Sequence, residues 1–115
     1  MAMNTMTLSA LAEPNRLRIV ELLREKPHSV GEISTRLKLR QPQVSKHMRV
    51  LSQAGLVRVR PVAQQRIYQL QPQPFQELDT WLNTFRRVWE KRLDAMGEVL
   101  EELKQAPADA PRDDA

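Results

Sequence analysis

Around residue 56 the apolar rhythm of the chain changes from a step of three or four to a step of two, and few folds accommodate that change. Leu56-Val57-Arg58-Val59-Arg60 alternates, and so does Arg66-Ile67-Tyr68-Gln69-Leu70. Each reads as a short, half-buried strand, because side chains of a strand alternate between its faces. Pro61 to Gln65 joins them as a hairpin. Immediately before the change, Ala54-Gly55 closes a helix that starts near Gln41-Pro42 and runs to about Gln53, with Gly55 where a positive φ is usual.

Upstream the step is helical. A short helix is expected over residues 5–11, with Leu8 and Leu11 on one side, and Glu13-Pro14 ends it. Pro14 suits the first turn of the next helix, where its missing N–H would have no partner. That helix, over residues 15–25, carries Leu17, Ile19, Val20, Leu22 and Leu23. Lys26-Pro27-His28 terminates it in a turn that should expose His28. Ser29-Val30-Gly31-Glu32 reads as a capping box opening a third helix with Val30, Ile33 and Leu37 inward and Leu39 in the turn beyond. After the hairpin, Pro72 and Pro74 punctuate the exit, and a long helix is expected over residues 75–104. The fold class is therefore mainly α with a small β-hairpin, in the order α-α-α-α-β-β-α. Two short helices, a tight turn and a hairpin make a winged helix-turn-helix.

Charge is segregated along this order. Residues 33–76 contain no Asp or Glu but hold Arg36, Lys38, Arg40, Lys46, Arg49, Arg58, Arg60 and Arg66. The chain as a whole carries only +4, so this stretch forms a positive patch, the electrostatic footprint of phosphate binding. Projected at 100° per residue, Val44, Met48 and Leu51 anchor the fourth helix to the core. Pro42, Ser45, Lys46, Arg49 and Gln53 fall opposite, a face of donors, acceptors and positive charge suited to a major groove. The expected DNA-binding residues are Arg40, Gln41, Gln43, Ser45, Lys46 and Arg49 on or beside that helix, with Arg58, Arg60 and Arg66 on the hairpin against phosphate or the minor groove. Arg40 stands at an N-cap position that it serves poorly, and phosphate contact would account for it. His47 flanks the apolar stripe and is expected to pack or hydrogen-bond.

The last helix repeats apolar residues at steps of three and four: Leu78, Leu82, Phe85, Trp89, Leu93, Met96, Leu100 and Leu103. The stripe is longer than a domain of this size can cover from its own core, so a second copy is expected against it, with Leu8 and Leu11 of the first helix alongside. The step of four followed by four through Phe85, Trp89 and Leu93 predicts crossing helices and not a strict heptad coiled coil.

Four motifs in order carry a family resemblance: Ala10-Leu11-Ala12-Glu13-Pro14-Asn15-Arg16-Leu17-Arg18-Ile19, Ser29-Val30-Gly31-Glu32-Ile33, Gln41-Pro42-Gln43-Val44-Ser45-Lys46-His47-Met48-Arg49-Val50-Leu51 and Ala54-Gly55-Leu56-Val57. Together they resemble the ArsR-type (arsenical-resistance repressor-like) winged-helix regulators over about residues 5–104. The resemblance implies a homodimer that binds double-stranded operator DNA and is released by a signal the sequence does not name. The chain departs from the pattern in having no cysteine, no His on its last helix, Arg40 where Ser is usual, and no Gly in the wing turn. Metal ligands of the common kinds are thus missing and no cofactor or metal is expected, and Trp81, Phe85 and Trp89 resemble the metal-independent branch.

The remaining expectations are exclusions and limits. No Ser/His/Asp arrangement, Gly-rich phosphate loop or carboxylate pair stands out, so an enzyme is not expected. A winged-helix module that binds proteins without reading DNA is the alternative, and the acid-free stretch argues against it. No apolar run nears the roughly 20 residues of a membrane span, and the N-terminus does not read as a secretory signal, so a cytoplasmic protein is expected. Residues 1–104 should form one DNA-binding and dimerisation domain, and the small, Pro-rich, acidic residues 105–115 a disordered tail.

Overall fold

A computed structural model describes residues 3–105; the expected tail lies outside the described residues apart from Gln105. The element order is α1 (Thr5–Leu11), α2 (Pro14–Leu23), β1 (His28–Ser29), α3 (Val30–Leu37), α4 (Gln41–Gln53), β2 (Val57–Val62), β3 (Gln65–Leu70) and α5 (Pro72–Gln105). The chain divides into two compact units, Met1–Trp81 and Leu82–Ala115. Among the described residues no helix is long and apolar enough to cross a membrane.

In the first unit α1, α2 and α3 start where the sequence supplies acceptors for unpaired N–H groups. The Asn4 side chain accepts from the Met6 N–H at 2.9 Å, and the Glu13 carboxylate from the Arg16 N–H at 2.8 Å. Pro14 takes the first helical position, where its missing donor costs nothing. Arg16 then reaches back, its Nε donating to the Ala10 carbonyl at 2.7 Å and its Nη2 to that of Ser9 at 3.4 Å, which satisfies the C-terminal carbonyls of α1. The Ser29 capping box is complete: Ser29 Oγ accepts from the Glu32 N–H and Glu32 Oε1 from the Ser29 N–H, each at 3.1 Å. Gly55 adopts φ +75 after α4, as its sequence position predicts.

The core joins Ile19, Val20 and Leu23 of α2, Ile33 of α3, Val44, Met48 and Leu51 of α4, and Leu56, Val57 and Tyr68 of the hairpin. Three expectations need correction. The hairpin is part of a three-stranded antiparallel sheet in the order β1-β3-β2, because His28 and Ser29 pair with Tyr68 and Ile67. A two-residue strand has no periodicity to read. For the same reason His28 is not exposed in a turn but wholly buried, its Nδ1 donating to the Lys26 carbonyl at 2.7 Å while its Nε2 has no partner. Finally, α5 begins at Pro72, so Pro72 and Pro74 lie inside its first turn, where helix N–H groups have no intrahelical acceptor.

Among the described residues the second unit is the rest of α5. Its apolar residues are exposed in the single chain: Leu82, Phe85, Val88, Trp89, Leu93, Met96, Val99, Leu100 and Leu103 all have more than a third of their surface in solvent. The Lys104 ammonium pairs with Glu101 at 3.9 Å.

Candidate nucleic-acid interface

The turn between α3 and α4 is tied down tightly. Lys38 closes α3 in the left-handed region at φ 57, a conformation more usual for glycine. The Leu39 N–H donates to the Ser34 carbonyl at 3.1 Å, and the Ser34 hydroxyl donates to the Leu39 carbonyl. From the α2 side, Arg18 Nη2 donates to the Leu37 carbonyl at 3.1 Å. These bonds fix the direction in which α4 leaves the turn.

Arg40 is the N-cap of α4 and its side chain makes no capping bond. The other half of a capping box is present, with Gln43 Oε1 accepting from the Arg40 N–H at 3.2 Å. A guanidinium has no acceptor, so Arg40 cannot complete the box. The Gln43 carbonyl oxygen is therefore occupied with the helix start, and its amide NH2 is the group it can offer a ligand. Along α4, Val44, Met48 and Leu51 are 0% exposed, while Gln41, Pro42, Gln43, Ser45, Lys46, Arg49 and Gln53 are exposed. His47 is partly buried, its Nδ1 3.8 Å from Glu13 Oε2, beyond hydrogen-bonding reach.

The wing separates its three arginines. Val57, Val59 and Pro61 stand opposite Leu70, Tyr68 and Arg66, whereas Arg58, Arg60 and Val62 stand opposite Gln69, Ile67 and Gln65. Directly opposite residues share a face, so Arg66 belongs to the row that includes the buried Val57 and Tyr68, and Arg58 with Arg60 to the other row. At the wing tip, a hollow of about 350 Å³ is lined by Gln41 and Ser45 of α4 together with Gln64, Gln65 and Arg66. Arg58 and Arg60 do not line it. Pro61 is tolerated because β2 is an edge strand. The wing turn has two residues, Ala63 and Gln64, and Ala63 takes φ 55 in place of the glycine such turns prefer.

Sequence reasoning did not single out Thr35, Arg36, Gln64 or Gln65. Thr35, Arg36 and Gln65 line a second hollow of about 470 Å³ with Gln41 and Glu32. Only Arg36 left a signal, as a member of the basic stretch. Glu32 is the one acid at this site, and its bonds from the Ser29 backbone N–H, and with the Ser29 side chain, hold its carboxyl below the usual carboxylate range. Among the described residues no group of three or more His, Asp or Glu side chains could hold a metal ion.

Comparisons with known proteins place this geometry. A helix-turn-helix domain model matches residues 11–60. The HTH-type transcriptional regulator Rv2034 of Mycobacterium tuberculosis is 38% identical over 92 residues, which cover 80% of this chain and 83% of that protein. The crystal structure of an ArsR family transcriptional regulator superposes with a TM-score of 0.66 at 26% identity, over 75% of this chain and 89% of its own. The homodimeric winged helix-turn-helix domain Mb0332 of Mycobacterium bovis shares the fold, with a TM-score of 0.61 at 23% identity over 72% of this chain and 77% of its own. The exposed basic α4, the turn that aims it and the hairpin beside it define a winged helix-turn-helix DNA-binding protein. The chain belongs to the ArsR-type transcriptional regulators, a family of DNA-binding regulators and not of enzymes.

Proposed function

We propose that the chain is a repressor that binds an inverted-repeat operator as a homodimer in the cytoplasm. One observation carries the reading: α4 buries Val44, Met48 and Leu51 completely and presents Ser45, Lys46 and Arg49 outward with no acid among them. In this reading Gln41, Gln43, Ser45 and Lys46 enter the major groove, Arg49 and Arg40 meet its edges or the phosphates, and Arg66 follows the strand from the wing tip. Arg58 and Arg60 lie on the other wing face and contribute mainly to the field. Residues 1–104 act as one DNA-binding and dimerisation domain. Leu78, Leu82, Phe85, Trp89, Leu93, Met96 and Leu100 of two copies pack together, with Leu8 and Leu11 alongside.

Fluorescence anisotropy on duplex DNA at several salt concentrations tests it. Lys46→Ala and Arg49→Ala should each weaken operator binding by about 1–3 kcal/mol where a base contact is lost. A lost phosphate contact should instead weaken all sequences alike and flatten the salt dependence. Wild-type affinity in both folded variants would remove α4 from the interface.

A further inference from the structure

Beside its apolar stripe the second unit carries a separation of charge. From Leu82 to Arg92 the charged residues are Arg86, Arg87, Lys91 and Arg92 against Glu90, a net +3. From Leu93 to Lys104 they are Asp94, Glu98, Glu101 and Glu102 against Lys104, a net −3. All of them are exposed, and among the described residues the four cations of the first half form no ion pair. The pattern does not serve the helix itself. Arg87 and Lys91 stand four residues apart, as do Asp94 and Glu98, and like charges at that spacing weaken a helix.

Gly97 is a second anomaly. It interrupts a helix of 34 residues, where glycine is less favourable than alanine. A Cβ there would meet nothing within 4 Å, so its own chain does not require the gap. Gly97 lies one turn beyond Leu93 and one turn before Leu100, on the border of the apolar stripe.

We propose that α5 is a self-complementary interface: two copies cross antiparallel at Leu93, each placing Trp89 on Gly97 of the other and Arg86 beside Glu101. This rests on the proposed homodimer and adds its direction and register. Antiparallel pairing lays the positive half of each helix along the negative half of the other. Parallel pairing lays like on like, and charges flanking a helix interface set orientation through that difference. The apolar residues supply the register. When Leu93 faces its own copy, a residue some steps before it lies level with the residue the same number of steps after it in the other chain. Trp89 is then level with Gly97, and the exposed Val88 is one residue from level with the exposed Val99. Arg86 and Glu101 are also one residue from level, and at 100° per residue both fall on the same side of the stripe. Glu101 keeps Lys104 at 3.9 Å, and its carboxylate can accept from a second donor.

The chain has no cysteine, so one nitroxide per chain can be placed on Lys104→Cys in the full-length protein. In the antiparallel pair the labelled positions lie on opposite sides of the crossing, about 33 Å apart at a rise of 1.5 Å per residue. A parallel pair crossing at the same residue brings them within about 20 Å. Double electron–electron resonance reads the difference. In sedimentation at low salt, Arg86→Glu and Glu101→Arg should each weaken the dimer about tenfold, because each turns two attractive pairs into repulsive ones. The two substitutions combined should restore it. Gly97→Leu should weaken association about tenfold, although leucine is the better helix former. A label separation under about 20 Å, or a double variant no tighter than the single ones, overturns the antiparallel assignment and leaves the homodimer standing. Unchanged association in Gly97→Leu overturns the seat for Trp89. A wild-type monomer at micromolar concentration contradicts the homodimer itself, and this interface with it.

Discussion

The helix α4 and the part of α5 beyond Leu82 follow the same rule of apolar spacing and meet opposite fates. In α4, Val44, Met48 and Leu51 are fully buried by their own chain. In α5, Phe85, Trp89 and Leu93 are 40%, 55% and 63% exposed. Apolar periodicity therefore states that a face must be covered but not by what. Where the first unit supplies the cover, the opposite face is left to carry charge outward, and that face is the proposed DNA-binding surface. Where it does not, the proposed account requires a second copy.

The sharpest way to break this comparison is Trp89→Glu, which would bury an unpaired carboxylate in each of two packed helices. The dimer should weaken by about 3–5 kcal/mol or more, the cost of leaving a buried charge without a partner. Sedimentation at micromolar concentration reads the change, and an unaltered association constant would show that the stripe is not an interface. A smaller effect is expected from Met48→Ala, which opens a cavity inside the first unit. Unfolding in urea should show a loss of about 2–4 kcal/mol. The loss should persist at protein concentrations where Trp89→Glu is monomeric, and its dependence on dimerisation would count against the division drawn here.

Arg40→Ser is expected to act in two directions at once. Ser can accept from the first-turn N–H groups that Arg40 leaves uncapped, which should stabilise the fold by about 0.5–2 kcal/mol. Loss of the guanidinium should weaken DNA binding. If neither the melting temperature nor the affinity moves, Arg40 is a surface residue without a role at the interface. The smallest effect concerns Glu32. Its carboxyl is held below its usual range by bonds with Ser29, so the folded state favours the ionised form. The associated stability is present above the unfolded-state carboxylate range and fades as the pH falls through it. Glu32→Gln should lack that component of the acid dependence, and identical pH profiles for the two proteins would show that the box contributes nothing measurable.

Much of this molecule was legible because its signals are local. Pro14, the Ser29–Glu32 pair, Gly55 and the spacing of Val44, Met48 and Leu51 each report on hydrogen bonding or burial within one or two turns. What escaped depends on distant partners. The two residues of β1 have no period and become a strand only by pairing with β3, and that pairing buries His28. Pro72 and Pro74 look like breakers, yet a helix start tolerates both. The three wing arginines are equivalent in composition, and only the register shows Arg66 on the row facing the core and Arg58 with Arg60 on the other. Gln43 read as a groove residue, and only the structure shows that its carbonyl oxygen also accepts from the Arg40 N–H.

The central claim is that two copies present two α4 helices to one operator. Hydroxyl-radical footprinting on the operator, with the protein-to-DNA ratio measured on the same complex, tests it most directly. The account predicts two chains per site and two protected patches related by an inverted repeat, with centres about 34 Å apart, one turn of the duplex. A single protected patch with one chain bound at full affinity would contradict it.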